Sequence, residues 1–300
     1  MSDYHVPVML DECIAGLNLK PDGSYVDVTF GAGGHSQSIL KNIGVNGHLY
    51  AFDQDDDAAA NAIEDSRFTF LKANFRYIKR FLRVEGVRSV DGILADLGVS
   101  SHQLDFPERG FSYRFDAELD MRMNFADELT AAIILKEYGQ DDLQLLFSKF
   151  GEVRNARTLA KLIVQERGKA EIKTTFQFNE ILERIRFGPK AKYFAQVYQA
   201  LRMEVNQEVQ VLEEMLQGGM EVLRPGGRFV VMSYHSIEDR VVKNFFKTGN
   251  SEGEVQKDDY GVITRPFKLI NKRVILASDE EVRQNSRAKS AKLRIAEKLK

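Results

Sequence analysis

The chain has 300 residues, of which 43% are hydrophobic, so it can bury the core of one large domain or of two. Its formal net charge of −2 does not mark it as a nucleic-acid-binding protein. The single cysteine, Cys13, excludes an intrachain disulfide and a zinc site made of cysteines. No apolar run is long enough to span a membrane, and residues 1–7 lack a secretion signal. We therefore expect a soluble cytoplasmic protein.

The first two predicted strands carry the pattern of a site for a nucleoside cofactor. Residues 25–30 form an apolar strand that runs into the turn Gly31-Ala-Gly-Gly-His35, and the next strand, 48–53, ends on Asp53. Glycines let the backbone approach a ligand, and an acid at the tip of the next strand can accept hydrogen bonds from ribose hydroxyls. An ordinary strand-to-helix turn is the alternative.

Two departures from the dinucleotide pattern indicate a different cofactor. Ser36 stands where that pattern needs its third glycine, and Asp27 lies inside the first strand. An acid there would repel a pyrophosphate. In a site for S-adenosylmethionine it could orient the turn or meet the cationic amino end of the ligand.

Strands and helices alternate through the first third of the chain. Further strands are predicted at 67–71 and 90–95, with helices at 36–43 and 74–85. This alternation predicts an α/β fold with a doubly wound, Rossmann-like parallel sheet. Residues 125–220 then show helical spacing almost throughout.

Strand character returns in the last third. Pro225-Gly-Gly227 predicts a tight turn that feeds a buried strand within 223–233, and a last strand pair is expected within 261–276. The economical architecture is one sheet domain made of 1–104 and 204–300, interrupted by a helical insertion at 105–203.

Polar residues follow two of the predicted strands. Asp96 ends the fourth strand and precedes a loop with Ser100 and Gln103, and the fifth strand leads into Ser233-Tyr-His235. Ligands of doubly wound sheets lie at the carboxyl ends of the strands, so these residues are candidates for the reacting end of the site. A serine-rich helix cap is the alternative for the first loop. A serine hydrolase is disfavoured because no Gly-x-Ser-x-Gly occurs, and the five scattered histidines give no metal-ligand spacing.

Two segments are rich in cationic residues and have compositions that favour RNA binding. Arginines alternate with aromatic residues over 109–115 and recur at Arg122, a composition that favours stacking on bases and contact with phosphates. A loop held by its aromatic side chains is the alternative. Residues 283–300 carry seven Lys or Arg against one acid, which indicates either phosphate contact or a solvated basic tail.

With these segments together, the chain resembles the MraW/RsmH family over almost its whole length. Several motifs carry the resemblance in the right order, namely His5-Val-Pro-Val-Met-Leu, Asp27-Val-Thr-Phe-Gly-Ala-Gly-Gly-His, Asp96-Leu-Gly-Val-Ser-Ser-His-Gln, Arg109-Gly-Phe-Ser, Leu119-Asp-Met-Arg-Met, Gln199-Ala-Leu-Arg, Ser233-Tyr-His-Ser-Ile-Glu-Asp-Arg and Ser290-Ala-Lys-Leu-Arg. One stretch departs: Lys192-Tyr-Phe-Ala-Gln-Val-Tyr198 stands where many members carry His-Pro-Ala.

The resemblance implies an S-adenosylmethionine-dependent methyltransferase that modifies the N4 amine of a cytidine in small-subunit (16S) ribosomal RNA, near the decoding centre. Its sheet domain would bind the cofactor and its insertion would recognise RNA. The partner would be naked RNA or the assembled small subunit, with a homodimer left open. A flipped or single-stranded cytidine is the expected substrate form.

The resemblance also assigns roles to individual residues. It implies cofactor contacts at Gly33, Gly34, His35, Asp53, Phe75, Asp96 and Gln103, with Phe81 as the alternative to Phe75. We expect the catalytic group among Asp96, His235, Ser100 and Ser233, and no metal. We expect RNA contacts from Arg109, Arg122, Arg154, Arg157, Lys289, Lys292 and Arg294.

Two other functions share parts of this pattern. An S-adenosylmethionine enzyme acting on a small molecule or a protein would need the glycine turn and Asp53, but not the basic segments. A non-catalytic RNA-binding or assembly protein would keep the fold and bind the cofactor weakly or not at all.

Overall fold

A computed structural model of the protein describes residues 7–98, 107–255, 257, 260–261, 263 and 265–300, with only the backbone of residues 56, 57 and 107. The chain divides into two compact units. One comprises Met1–Gly98 and Val209–Lys300, and the other Val99–Glu208. In the described part of the chain, no helix has both the length and the apolarity needed to cross a membrane.

The first unit is an α/β unit built around one sheet. Its elements before the second unit are α1 (Leu10–Leu17), β1 (Ser24–Asp27), α2 (Gly34–Asn42), β2 (His48–Asp53), α3 (Asp56–Ala59), β3 (Phe68–Lys72), a 3₁₀ turn (Phe75–Tyr77), α4 (Ile78–Val84) and β4 (Val90–Asp96).

The second unit is helical. After a 3₁₀ turn (Pro107–Arg109), its helices are α5 (Ala131–Glu137), α6 (Gln140–Gly151), α7 (Ala156–Arg167), α8 (Thr175–Glu183) and α9 (Lys190–Val205). The helical spacing predicted for this region is therefore confirmed. Buried residues such as Phe147, Leu159 and Phe194 form its own apolar core. Thr174 begins α8 with a capping box: its side chain accepts the N–H of Gln177, whose own side chain returns to the cap.

The first unit resumes with α10 (Glu208–Val222). It continues through β5 (Leu223–Ser233), α11 (Ser236–Thr248), β6 (Phe267–Leu269), β7 (Ile275–Leu276), α12 (Asp279–Gln284), a 3₁₀ turn (Ser286–Ser290) and β8 (Lys292–Lys298). The predicted Pro-Gly-Gly turn lies inside β5, where the register slips from Leu223 opposite Val90 to Arg228 opposite Gly92. Gly226 accommodates the slip with a φ of 76°.

The strand order is β3-β2-β1-β4-β5-β8-β6, and β7 also pairs with β8. Strands β1 to β5 are parallel, and β8 is antiparallel to its neighbours. The chain runs outwards from β1 through β2 to β3, then returns to place β4 on the other side of β1. The predicted doubly wound sheet is confirmed, and its switch point lies between β1 and β4.

Both faces of the sheet are covered by helices. On β4, Ile93 and Ala95 belong to the apolar cluster that includes Leu216 of α10, while Leu94 belongs to the cluster that includes Ile39 of α2. Successive side chains of a strand point to opposite faces, so a strand buried on both sides reads as a continuous apolar run. Asp96 points to the same face as Leu94, which is the face of α2.

The basic C-terminal segment corrects one expectation from the sequence. It is not a free tail, because residues 292–298 form β8 inside the sheet, with Leu293 and Ala296 fully buried. The two strands expected within 261–276 are present as β6 and β7, but they do not pair with each other, because each pairs with β8. Cations alternate with apolar residues over 292–295, which is the period-2 pattern of a half-buried strand, but the seven Lys or Arg of the whole segment favour a solvated or phosphate-binding tail instead.

Candidate active site at the switch point of the sheet

The glycine turn after β1 leaves open space at the switch point. Gly31 and Gly33 adopt φ values of 52° and 78°, which favour glycine. A Cβ at Gly31 would meet no atom within 4 Å, whereas one at Gly34 would lie 2.3 Å from Cγ of Pro7. The turn is therefore packed on the side of Pro7 and open at Gly31, where a ligand can approach the backbone.

Asp53 lies beside this opening at the end of β2. Its Oδ2 accepts the N–H of Gly31 at 2.8 Å, and its Oδ1 accepts the N–H of Asp55 at 2.9 Å. Each oxygen keeps a second lone pair, so the carboxylate can also accept two hydroxyls of a ribose. Burial raises the pKa of Asp53, and the two N–H donors oppose that rise.

Asp27 is 1% exposed and ties the turn to α2. Its Oδ2 accepts the hydroxyl of Ser36 at 2.7 Å, and its Oδ1 accepts the N–H of Thr29 at 3.1 Å. The hydroxyl of Thr29 in turn accepts the N–H of Asp96 at 2.7 Å, which joins the end of β1 to the end of β4. Of the two roles predicted for Asp27, the geometry supports orientation of the turn.

Asp96 is held from two sides at the end of β4. Oδ1 accepts the hydroxyl of Tyr234 at 2.8 Å, and Oδ2 lies 3.9 Å from Nδ1 of His35. Nε2 of His35 lies 3.1 Å from the carbonyl oxygen of Val8, and a carbonyl can only accept, so Nε2 carries a proton. The side chain of Asp96 keeps 24% of its surface exposed. A half-buried carboxylate with one open edge is therefore presented to the cleft.

The pKa of Asp96 is raised to about 6. Burial is the main cause, because it penalises the charged carboxylate, while the His35 imidazole and the Tyr234 hydroxyl oppose the rise. At pH 7 the group is therefore largely ionised and can accept a hydrogen bond from a substrate. The pKa of Tyr234 is raised well above its usual value, by burial and then by the Asp96 charge, so its hydroxyl stays a donor.

His235 has a structural role at the start of α11. Its Nδ1 accepts the N–H of Glu238 at 3.4 Å, and Oε2 of Glu238 accepts the N–H of Tyr234 at 3.1 Å. Nε2 of His235 lies 3.2 Å from Oε1 of Glu238. Both ring nitrogens therefore face groups of the same helix turn. Ser233, at the end of β5, is 2% exposed. Catalytic roles for His235 and Ser233 stay predictions.

Phe75 begins the short turn after β3, next to the strand that ends on Asp53. Asn74 caps this turn by accepting the N–H of Arg76, and its amide donates to Oε1 of Gln54 at 2.8 Å. The ring of Phe75 is partly buried against the apolar cluster that contains Phe52. Phe81 packs edge-on against Phe52 at 6.2 Å, within the core side of α4. Both rings are half-buried against this cluster, so a cofactor contact at Phe75, with Phe81 as the alternative, stays a prediction.

Residues 2–299 match the model of the MraW methylase family. The chain belongs to this family. It is 56% identical to ribosomal RNA small subunit methyltransferase H of Flavobacterium johnsoniae, over 99% of this chain and 98% of that protein. It is 54% identical to the protein of the same name from Christiangramia forsetii, over 100% and 99% of the two chains. The predicted family is thus confirmed, and the chain is an S-adenosylmethionine-dependent methyltransferase.

The residues at the switch point fit this cofactor. The open turn at Gly31 and the free lone pairs of Asp53 suit an adenosine, and the first turn of α2 presents backbone N–H groups that suit a carboxylate. Sequence reasoning placed Gly33, Gly34, His35, Asp53 and Asp96 in the site, and the fold brings them to one edge of the sheet. It missed Tyr234 as the partner of Asp96. Ser100 and Gln103 lie outside the described residues.

Three of the cations predicted to bind RNA are engaged within the protein. Arg109 is 7% exposed and donates to the carbonyl oxygens of Arg122 and Met123. Arg122 forms a two-point ion pair with Asp120, at 2.8 and 2.7 Å. Arg294 of β8 does the same with Asp239, at 2.7 and 3.1 Å. These contacts stabilise loops and the sheet through charged side chains. The alternative for 109–115 is a loop held by its aromatic side chains, of which Phe111 is buried in the apolar core of the helical unit.

The other predicted cations are more accessible. Arg154, Arg157 and Lys289 are exposed, and Lys292 is half-buried in β8. The guanidinium of Arg154 lies 5.8 Å from the ring centre of Phe187, which is itself exposed. Exposed arginine and aromatic groups suit contact with nucleic acid, and RNA binding at these residues stays a prediction.

We expect Asp53→Asn to weaken the binding of S-adenosylmethionine by about ten- to a hundredfold, because a charged acceptor of hydroxyl groups is lost. The amide oxygen of the variant side chain can still accept one of the two backbone N–H groups that Asp53 binds, and the strand that carries it is unchanged, so the fold is retained. Isothermal titration with S-adenosylmethionine measures the change.

Asp91→Asn is the matched control. Asp91 is 8% exposed and also accepts a backbone N–H, that of Ser24, but at the opposite end of the sheet. The Asp91→Asn protein should bind S-adenosylmethionine with the same affinity as the unaltered protein. Unchanged affinity in a folded Asp53→Asn protein, or an equal loss in both variants, would remove Asp53 from the site.

Proposed function

We propose that this methyltransferase transfers a methyl group from S-adenosylmethionine to the exocyclic N4 amine of a cytidine in small-subunit ribosomal RNA. The observation that carries the proposal is the carboxylate of Asp96, which is buried on the protein side, open on the other, and placed beside the glycine turn. The relatives named ribosomal RNA small subunit methyltransferase H support the substrate class.

The chemistry explains the need for such a carboxylate. The lone pair of a cytosine N4 amine is delocalised into the ring, which makes the amine a weak nucleophile. A carboxylate that accepts one of its N–H groups keeps electron density on nitrogen and fixes the direction of the lone pair. Asp96 can do this because its Oδ2 is not used by Tyr234. Catalysis is then mostly a matter of positioning for in-line displacement.

The remaining residues of the cleft bind and orient. When bound, S-adenosylmethionine supplies an electrophilic methyl group on a sulfonium centre. The glycine turn and Asp53 would hold its adenosine, with Phe75 beside the base, and α2 would hold its carboxylate end. After transfer, the product amine is far more acidic and loses its proton readily. Asp96, with a pKa of about 6, can accept that proton near neutral pH.

The proposal extends to the location of the reaction. The target cytidine would lie near the decoding centre of the small subunit, and the protein would act in the cytoplasm. The family resemblance supports both statements. The target cytidine has to leave its stack to reach a carboxylate at the end of a strand, so a flipped or single-stranded base is part of the proposal. Whether the protein forms a homodimer is not part of this proposal.

The helical unit is the proposed RNA-recognition unit. Arg157 and Lys161 are exposed and lie four residues apart on α7, so they share one face of that helix. In the part of the chain that the structure describes, their side chains take part in no ion pair or hydrogen bond. Arg154 precedes Arg157 by three residues. This row of cations can therefore contact phosphates without first breaking an internal pair.

The direct test uses small ribosomal subunits, and separately their naked RNA, from cells that lack this gene. Purified protein and isotopically labelled S-adenosylmethionine are added, and the modified nucleotide is mapped by mass spectrometry. We expect one N4-methylcytidine in 16S RNA, and a loss of about a hundredfold or more in rate for Asp96→Asn, which keeps the shape of the side chain but loses its charge. Label on another base, on protein or on no macromolecule would contradict the proposal.

The RNA surface has its own test. We expect Arg157→Gln with Lys161→Gln to weaken RNA binding and to reduce the slope of log K against log salt by about 0.7–0.9 per lost phosphate contact. Affinity for S-adenosylmethionine should not change, because these residues belong to the helical unit. Filter binding at several salt concentrations gives the slope.

The control pair is Lys136→Gln with Lys173→Gln, which removes the same charge from the same unit. Both lysines already pair with Glu171, at 3.0 and 2.8 Å. The salt slope of this variant should match that of the unaltered protein. Equal slopes for both double variants would show that α7 does not contact the RNA.

A further inference from the structure

Tyr234 is the one side chain that donates a hydrogen bond to the Asp96 carboxylate within the described residues. Its hydroxyl lies 2.8 Å from Oδ1 of Asp96. The two residues come from neighbouring parallel strands, since Asp96 is opposite Met232 of β5 and Tyr234 follows two residues later. The contact therefore links the last residue of β4 to the residue that follows β5.

The position of Tyr234 is fixed by its surroundings. Its backbone N–H donates to Oε2 of Glu238 at 3.1 Å, which ties it to the first turn of α11. Its ring packs against the turn after β4: a Cβ at Gly98, where φ is 106°, would lie 3.4 Å from Cδ2 of Tyr234. With the backbone and the ring both restrained, the hydroxyl oxygen is held beside Oδ1 of Asp96.

We propose that Tyr234 is a positioning residue for methyl transfer, whose hydroxyl holds Oδ1 of Asp96 so that Oδ2 is left to accept the N–H of the target amine. This inference rests on the proposed function, in which Asp96 contacts that amine. A neutral donor that stays protonated satisfies one oxygen and leaves the carboxylate its charge.

The ionisation of Asp96 gives a readout that a purely structural role would not move. Burial raises the pKa of Asp96 to about 6, and the Tyr234 hydroxyl opposes that rise. The other titratable groups that face it come from four elements, namely Cys13 of α1, Asp27 of β1, His35 of α2 and Glu238 of α11. Removal of the hydroxyl alone leaves all four in place, so the pKa of Asp96 should rise.

The experiment compares Tyr234→Phe with the unaltered protein between pH 5 and 8. Single-turnover methyl transfer and the affinity for S-adenosylmethionine are both measured across that range. We expect the acid limb of transfer to have its midpoint near the pKa of Asp96, about 6, in the unaltered protein. In Tyr234→Phe the midpoint should rise by about one pH unit, and transfer on the acid limb should fall by about tenfold. Cofactor affinity at pH 8 should stay within about threefold.

Tyr25→Phe is the matched control. Tyr25 is fully buried in β1, and its hydroxyl accepts the N–H of Lys20 at 2.6 Å, away from the carboxyl ends of the strands. The Tyr25→Phe protein also loses a hydroxyl oxygen and its hydrogen bond, but the midpoint of the acid limb of methyl transfer should match that of the unaltered protein. A Tyr234→Phe protein with the unaltered midpoint overturns the inference, and so does the same shift in both variants.

The two proposals can fail separately. If the unaltered protein methylates no ribosomal RNA, the proposed function falls, and the pH dependence of cofactor binding alone decides the role of Tyr234. A midpoint for cofactor binding that rises in Tyr234→Phe supports the link between Tyr234 and Asp96, and an unchanged midpoint overturns it.

Discussion

Two carboxylates at the carboxyl ends of β1 and β4, the buried Asp27 and the half-buried Asp96, are the constraint on which the site depends. Burial of a charged group is costly unless hydrogen bonds compensate for the lost water. Ser36 and the backbone of Thr29 compensate Asp27, and Tyr234 compensates Asp96. Because these donors come from the residues between β1 and the glycine turn, from α2 and from the residue after β5, the same bonds that satisfy the charges also fix the shape of the cleft.

The cations of the chain divide into two groups by what they contact. Arg109, Arg122 and Arg294 are used inside the protein, on carbonyl oxygens or on carboxylates. Arg157 and Lys161 on α7 have no such use among the described residues. The formal net charge of −2 does not distinguish these two groups of cations. The second group explains how a slightly acidic protein can still have a cationic surface on α7.

Much of the sheet and of the cofactor cleft could be predicted from the sequence, because local patterns encode them. The apolar run ending on Asp53 and the glycines after β1 specify strand, turn and ligand-facing acid within a short stretch. The partnership of Asp96 with Tyr234 could not be predicted, since it joins residues 138 positions apart through the strand order. The strand β8 could not be predicted because the charge of residues 283–300 dominates the local pattern, although Leu293 and Ile295 alternate with cations and are buried.

The half-buried carboxylate of Asp96 is ionised at neutral pH although its pKa is raised well above that of an ordinary aspartate, and the proposed function depends on this. The most direct measurement is a carbon-13 NMR titration of the side-chain carboxyls, with the Asp96 signal assigned by its absence in Asp96→Asn. The structure predicts a midpoint near pH 6 for that signal, because burial raises its pKa to about 6. A midpoint near 3.8, the value of an unperturbed aspartate, would show that Asp96 is solvated and would contradict the account of the site.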